Sequence, residues 1–359
     1  MLYRSILICC FSVCLNLKAD IVNPIIDPEL PRFTSSLGLP FNKKIFVISA
    51  IYAKTSIEPE TDTLTGNSTD GGGHNLYTYF GSEFFSMQVN FSDVDLVEEN
   101  ADGVVVSKGE LTDGEIYLGF DILPFLGLSL ELSESDIRVR SNNVTAQSIE
   151  SIFGVGLTAS IEDFIYFGIG VRERDYNDSF AGQSGRILAM GTQTLGDTEI
   201  NLFSGEISYS TYSASDGGIF PASAFLPEET SLDFNMQYAV AEYFFRVDFN
   251  KSVLDYAKNG DKSKVWKSAD TTWVFEVDYQ FFDFYIRPGY STEKSSISKS
   301  SVYNGEVSRS KAFLLSLGYR FNDIAFALSV VKGKTKYFNV SPTAVFNDFT
   351  FAARLSVGF

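Results

Sequence analysis

The sequence predicts an all-β chain, a transmembrane antiparallel up-and-down β-barrel, and three observations carry that prediction. The segment from Asp348 to Phe359 alternates with period two: Phe349, Phe351, Ala353, Leu355, Val357 and Phe359 share one face, and Thr350, Ala352, Arg354, Ser356 and Gly358 the other. An apolar face of that length needs a partner along all of it, and lipid outside a wet lumen supplies one. Second, alternating segments recur in pairs joined by short turns. Third, the chain holds 33 Phe and 18 Tyr, yet no stretch after residue 19 is apolar over the length a membrane helix requires. Strands with only every second residue facing lipid reconcile the aromatic richness with that lack.

The amino terminus reads as a secretory signal over residues 1–19: Arg4, an apolar run from Ser5 to Leu17, and the small-residue exit Leu17-Lys18-Ala19. Cys9, Cys10 and Cys14 all lie inside it, so the exported chain is expected to hold no disulfide and no cysteine-bound metal. Residues 20–42 contain Pro24, Pro28, Pro31 and Pro40, which exclude a regular strand or helix and leave a periplasmic tail or a luminal plug. The barrel is expected over 43–359. The net charge of -17 argues against nucleic acid as a partner, because phosphates demand Lys and Arg.

Short turns are expected within Tyr79–Phe85, Leu123-Pro124-Phe125, Ser160–Phe164, Leu195-Gly196-Asp197, Val240–Phe244, Phe281–Phe284 and Phe321–Ile324. They give sixteen strands, over 43–54, 74–81, 84–93, 113–122, 125–138, 147–160, 163–175, 184–195, 198–211, 230–239, 242–252, 269–280, 283–294, 309–321, 324–338 and 346–359. Fourteen is the alternative, if residues 74–93 form a loop. Polar segments at 55–73, 94–112, 212–229, 253–268 and 295–308 are expected as long loops on the opposite end.

Period-two phasing points Trp273, Phe275, Val277 and Tyr279 outward, with Tyr243, Phe245, Val247 and Phe249. Phe249, Tyr279, Phe281, Tyr319 and Phe321 are expected in an aromatic girdle near the turn end. The charges that fall inward are the candidate pore-lining residues: Asp121, Glu131, Arg172, Arg174, Asp233, Arg246, Asp248, Glu276, Asp278, Arg287, Arg320 and Arg354. Two arrangements fit them. In one, arginines on one wall face carboxylates on another and set a transverse field across a pore. In the other, the same residues form a salt-bridge network between adjacent strands of a plugged barrel.

The signal, the paired strands, the short turns and the terminal Phe359 together resemble a Gram-negative outer-membrane barrel of the porin type. That resemblance implies a place in the outer membrane after export, contact with membrane lipid and lipopolysaccharide, and handling by periplasmic chaperones and the barrel assembly machinery. Phe351, Leu355, Val357 and Phe359 would be the assembly signal. The third connection on the loop side, about residues 139–146, is short, whereas general trimeric porins fold a long third loop into the pore; the oligomeric state stays open. In the fifth loop, Ile219, Phe220, Pro221, Phe225, Leu226 and Pro227 form an apolar stretch that would enter the lumen, meet a partner or cap the rim.

Catalysis is not expected. His74 is the single histidine, read as a solvated loop residue in Gly71-Gly72-Gly73-His74-Asn75, and no Ser follows it as the outer-membrane phospholipase family requires. No cofactor is implied. The acidic loops (Asp93, Asp95, Glu98, Glu99, Asp102, Glu110 and Asp113; Glu58, Glu60, Asp62 and Asp70) would repel anions, and Ca²⁺ or Mg²⁺ is the ligand such carboxylates would take. Lys332, Lys334 and Lys336 could instead touch lipopolysaccharide phosphates. The expected activity is passive diffusion of small polar solutes or cations; a non-conducting adhesin, receptor or structural barrel is the alternative, and a barrel enzyme the third reading.

Overall fold

The structure is a computed structural model and describes residues 45–60, 67–82, 84–141, 144–161, 165–178, 182–195, 202–214, 225–240, 243–258, 261–298, 304–321, 323–338 and 344–358. The expected signal, the proline-rich tail, Asp62, Ile219, Phe220, Pro221 and Phe359 lie outside them.

Among the described residues all regular structure is β. In chain order the strands are β1 (Ile45–Pro59), β2 (Ser68–Gly81), β3 (Phe85–Glu99), β4 (Val105–Leu123), β5 (Leu126–Ser141), β6 (Val144–Ile161), β7 (Ile165–Asp178), β8 (Gly182–Leu195), β9 (Leu202–Ala214), β10 (Phe225–Val240), β11 (Tyr243–Lys258), β12 (Asp261–Phe281), β13 (Phe284–Ser298), β14 (Gly305–Phe321), β15 (Ile324–Tyr337) and β16 (Ala344–Gly358). Each pairs antiparallel with its chain neighbours, and β1 pairs with β16, so the sheet closes on itself and leaves no edge. The closing seam is held side chain to side chain as well: Thr55 Oγ1 lies 3.0 Å from Thr350 Oγ1, and Arg354 Nε donates to Ser49 Oγ at 2.7 Å.

The two faces differ as the phasing requires. On β14, Phe313, Leu315, Leu317 and Phe321 are exposed, while Ser308, Ser310, Ala312, Leu314 and Ser316 at the opposite parity are buried. On β16, Phe349, Phe351 and Leu355 are exposed and Thr350, Ala352, Arg354 and Ser356 buried. Ile48, Leu76, Phe91, Ile116, Leu132 and Phe153 extend the apolar outer face around the neighbouring strands. At the turn end, ring pairs Phe85–Phe120 (centroids 5.2 Å apart), Tyr243–Tyr279 (5.0 Å) and Phe284–Tyr319 (4.6 Å) build an aromatic girdle. Phe249 departs from the expected girdle position: it sits in the interior of β11, with its ring 4.4 Å from Trp273.

The loop end corrects the sequence reading. The polar segments are largely strand: β1 runs on to Pro59 and β2 starts at Ser68, β3 reaches Glu99 and β4 starts at Val105, β11 reaches Lys258 and β12 starts at Asp261. The described residues between 74 and 93 pair as the β2–β3 hairpin, with His74 opposite Asp93 and Gly81 opposite Ser86. One tight connection explains how little loop a polar segment needs. Asn100 Oδ1 accepts the backbone N–H of Asp102 at 3.0 Å and of Val104 at 2.9 Å, and Gly103 takes φ 72°. The expected short connection after β5 is there, with Ser141 paired to Val144.

Gly71 to Gly73 is likewise not a loop run but part of β2. A Cβ on Gly73 would stand 2.6 Å from the carbonyl oxygen of Asp93, and one on Gly72 no closer than 3.5 Å to anything. Backbone cannot swing away as a side chain can. Gly73→Ala is therefore expected to cost about 1–3 kcal/mol, and Gly72→Ala to stay within about 0.5 kcal/mol of the parent. Urea unfolding midpoints of the two variants check the contrast.

Candidate pore wall

The inward charges gather most densely on β11, β12 and β13. Their register places Arg246 opposite Glu276, and Glu276 opposite Gly289. Arg246 Nε lies 2.7 Å from Asp248 Oδ2, and its Nη1 lies 3.6 Å from Glu276 Oε2. Arg287 donates from both Nε and Nη2 to the two carboxylate oxygens of Asp278, a bidentate pair. Glycine makes room for the cluster: a Cβ on Gly289 would meet Glu276 Cγ at 3.2 Å. The Tyr285 ring lies across Gly318, with Arg287 Cζ 5.8 Å from the ring centroid. Glu276 is 3% exposed and Arg287 5%, so each charge depends on its neighbours more than on water.

A second wall runs from β16 through β1 to β5. Arg354 is held by Ser49, and Ser356 donates to the same hydroxyl oxygen at 3.1 Å. Tyr77 and Tyr79 are buried beside it, with the Tyr77 hydroxyl donating to Gln88 Oε1 at 3.4 Å. Asn75 Nδ2 donates to Asn90 Oδ1 (2.7 Å), Asn90 Nδ2 to Glu115 Oε2 (3.4 Å), and the Tyr117 hydroxyl to Glu131 Oε1 (3.2 Å). Between the two walls β14 and β15 contribute a less polar strip, where Ser316 and Ser329 share a 2.8 Å hydrogen bond near Ala312, Leu314 and Val331.

Of the sequence-predicted candidates, Arg246, Asp248, Glu276, Asp278 and Arg287 come together in one cluster. Glu131 and Arg354 are buried in the second wall, and Asp121 is half-buried near the end of β4. Arg320 is exposed at the turn end of β14, where its backbone N–H bonds the Asp283 carbonyl at 2.7 Å. Arg172 and Arg174 lie on β7 and Asp233 on β10, with their side chains outside the described residues. Among the described arginines, Arg246 and Arg287 pair within their own or the adjacent strand, and Arg354 donates to a serine. Cross-strand neighbours on one face stand about 5 Å apart, within reach of a guanidinium fork, whereas the far wall of a wide barrel is not. Sequence phasing missed Ser49, Tyr77, Gln88 and Asn90, which carry no charge and so no marker beyond their parity.

His74 is not a loop residue. It lies within β2 on the outward face, exposed, with its ring 5.1 Å from that of Tyr52. The acidic segments are split between faces as well: Asp93 and Asp95 are exposed outward, while Glu98 turns inward and accepts from Asn67 Nδ2 at 2.8 Å. No group of three or more His, Cys, Asp or Glu able to hold a metal ion occurs among the described residues.

No family model matches the chain, and no curated protein matches it. Solved structures of channels are similar to it in fold. A TodX monoaromatic hydrocarbon channel variant is 11% identical over 88% of this chain and 89% of its own, with a TM-score of 0.49. OpdQ of Pseudomonas aeruginosa is 10% identical over 88% of this chain and 98% of its own (TM-score 0.46), and OccK7 of the same organism 8% identical over 88% and 99% (TM-score 0.49).

Proposed function

We propose that this chain is a sixteen-strand barrel of the bacterial outer membrane that serves as a porin-like passive channel for small polar solutes, with a weak preference for cations. The observation that carries this reading is the split between an exposed apolar outer face and an inner face of Arg, Glu, Asp, Tyr and Ser on one closed sheet. A water-soluble barrel would invert it, and a surface of contiguous Phe, Leu and Ile is stable only against lipid. The cation preference rests on the β11–β13 cluster, where Asp248, Glu276 and Asp278 outnumber Arg246 and Arg287. Phe351, Leu355 and Val357 on β16 suit the role of assembly signal. Residues 1–19 suit a signal for export.

A second reading has a specific observation behind it. Inner side chains such as Glu276 and Ser316 are almost fully covered, as in a barrel whose interior is filled and whose charges tie strands together. A filled barrel would display its surface without conducting. Planar-bilayer recording of the refolded chain lacking residues 1–19 separates the two. Stable unitary steps with a reversal potential displaced towards the cation equilibrium are expected for the channel; a folded barrel giving no steps above the lipid background would overturn it.

A further inference from the structure

We propose that the outward face of β14 and β15, immediately above the apolar band, binds the phosphate-bearing headgroup of an outer-leaflet glycolipid. This rests on the membrane-spanning part of the reading above and not on conduction. The register sets like charges directly across from one another: Lys311 opposite Lys334, and Arg309 opposite Lys336. Lys294 on β13 stands opposite Arg309 from the other side. Like charges at facing positions of a sheet destabilise it, so an arrangement of this kind gains stability from anions to share. The chain supplies too few. Glu306 takes Arg309 (2.7 Å) and Lys294 (3.7 Å), and Glu60 takes Lys334 (2.6 Å). Lys311, Lys332 and Lys336 are exposed, with no ion-pair partner among the described residues.

The height of the patch selects the ligand. About ten residues separate Lys311 from the turn at the end of β14, and a strand rising about 3.3 Å per residue at a tilt of about 40° climbs about 25 Å over them. That is the thickness of the apolar band, so these cations emerge where headgroup phosphates lie. Lys332 stands between Phe313 and Phe349 in the cross-strand register, both exposed, as a residue at such a boundary would. Directly beneath, Leu315, Leu317, Leu328 and Val330 form a strip for acyl chains. A free phosphate ion would have no use for that strip, whereas a phosphorylated glycolipid uses both parts. At the corresponding end of β3 the outward charges are Asp93 and Asp95, and where cations face each other on β4 and β5, Lys108 opposite Arg140, Glu110 stands 3.8 Å from Arg140.

The test uses the refolded chain in phosphatidylcholine vesicles doped with bis-phosphorylated lipid A, extracted in mild detergent and weighed by native mass spectrometry. The parent chain is expected to retain the glycolipid. A basic residue at an anionic surface contributes about fivefold, so K311Q/K336Q should bind about 25-fold more weakly. The double variant loses a repulsion and should fold at least as well, which heat-dependent gel mobility monitors. Equal retention by the variant, equal retention of dephosphorylated lipid A, or displacement by millimolar inorganic phosphate would each overturn the site. A chain that retains lipid A without conducting overturns the channel and leaves this site standing; one that conducts without retaining it does the reverse.

Discussion

Replacing Leu317 by arginine is expected to cost the folded barrel about 2–4 kcal/mol in a lipid bilayer, and Phe313→Arg at most about 1 kcal/mol. Leu317 is 51% exposed and lies between Ile286 and Leu328 in the cross-strand register, with apolar exposed side chains above and below it on β14. A guanidinium there must either enter hydrocarbon or drag water and headgroups towards the bilayer centre. Phe313, at the upper margin beside Lys332, is near enough to the headgroups for an arginine to reach them. In water neither change would matter, since exposed substitutions away from special features stay within about 0.5 kcal/mol. Urea-dependent folding into phosphatidylcholine vesicles measures both. Equal costs at the two heights, or no cost at either, would remove lipid from the outer face.

How far the sequence led depends on where each residue sits relative to that lipid. Inside the apolar band one face of a strand is Phe, Leu or Val and the other polar, so β14 and β16 are legible to the residue and their facing follows from parity alone. Above the band both faces meet water. The alternation then carries no hydropathy signal, and Ser, Thr, Lys and Asp read as loop although hairpin pairing continues through them, as in Asp261–Ser268 and Ser295–Ser298. His74 was misplaced for the same reason, because the glycines before it look like loop composition, while in β2 they permit close approach to Asp93 and Asp95. The charges of the inner wall were legible, but their pairing was not. Parity says that Arg246 and Glu276 share a face; only register says that they are opposite one another.

That register makes the Asp278–Arg287 pair the second large effect. Arg287→Gln is expected to destabilise the barrel by about 3–5 kcal/mol, because it strands the Asp278 carboxylate in a site where both partners are nearly covered. Glu276 lies next to them and adds a second negative charge that Arg287 helps to offset. Lysine is a poor substitute: an ammonium cannot reproduce the two parallel bonds to Asp278, so Arg287→Lys should recover only part of the loss. The combined Asp278→Asn, Arg287→Gln variant removes both charges and should be more stable than Arg287→Gln alone, a non-additivity that a double-mutant cycle reads directly. In bilayer recordings the excess negative charge left by Arg287→Gln should move the reversal potential further towards cations, and the combined variant should move it back. A coupling below about 1 kcal/mol would mean that water screens the pair as it screens surface ions, and the cluster would then be a wetted lining instead of a structural tie.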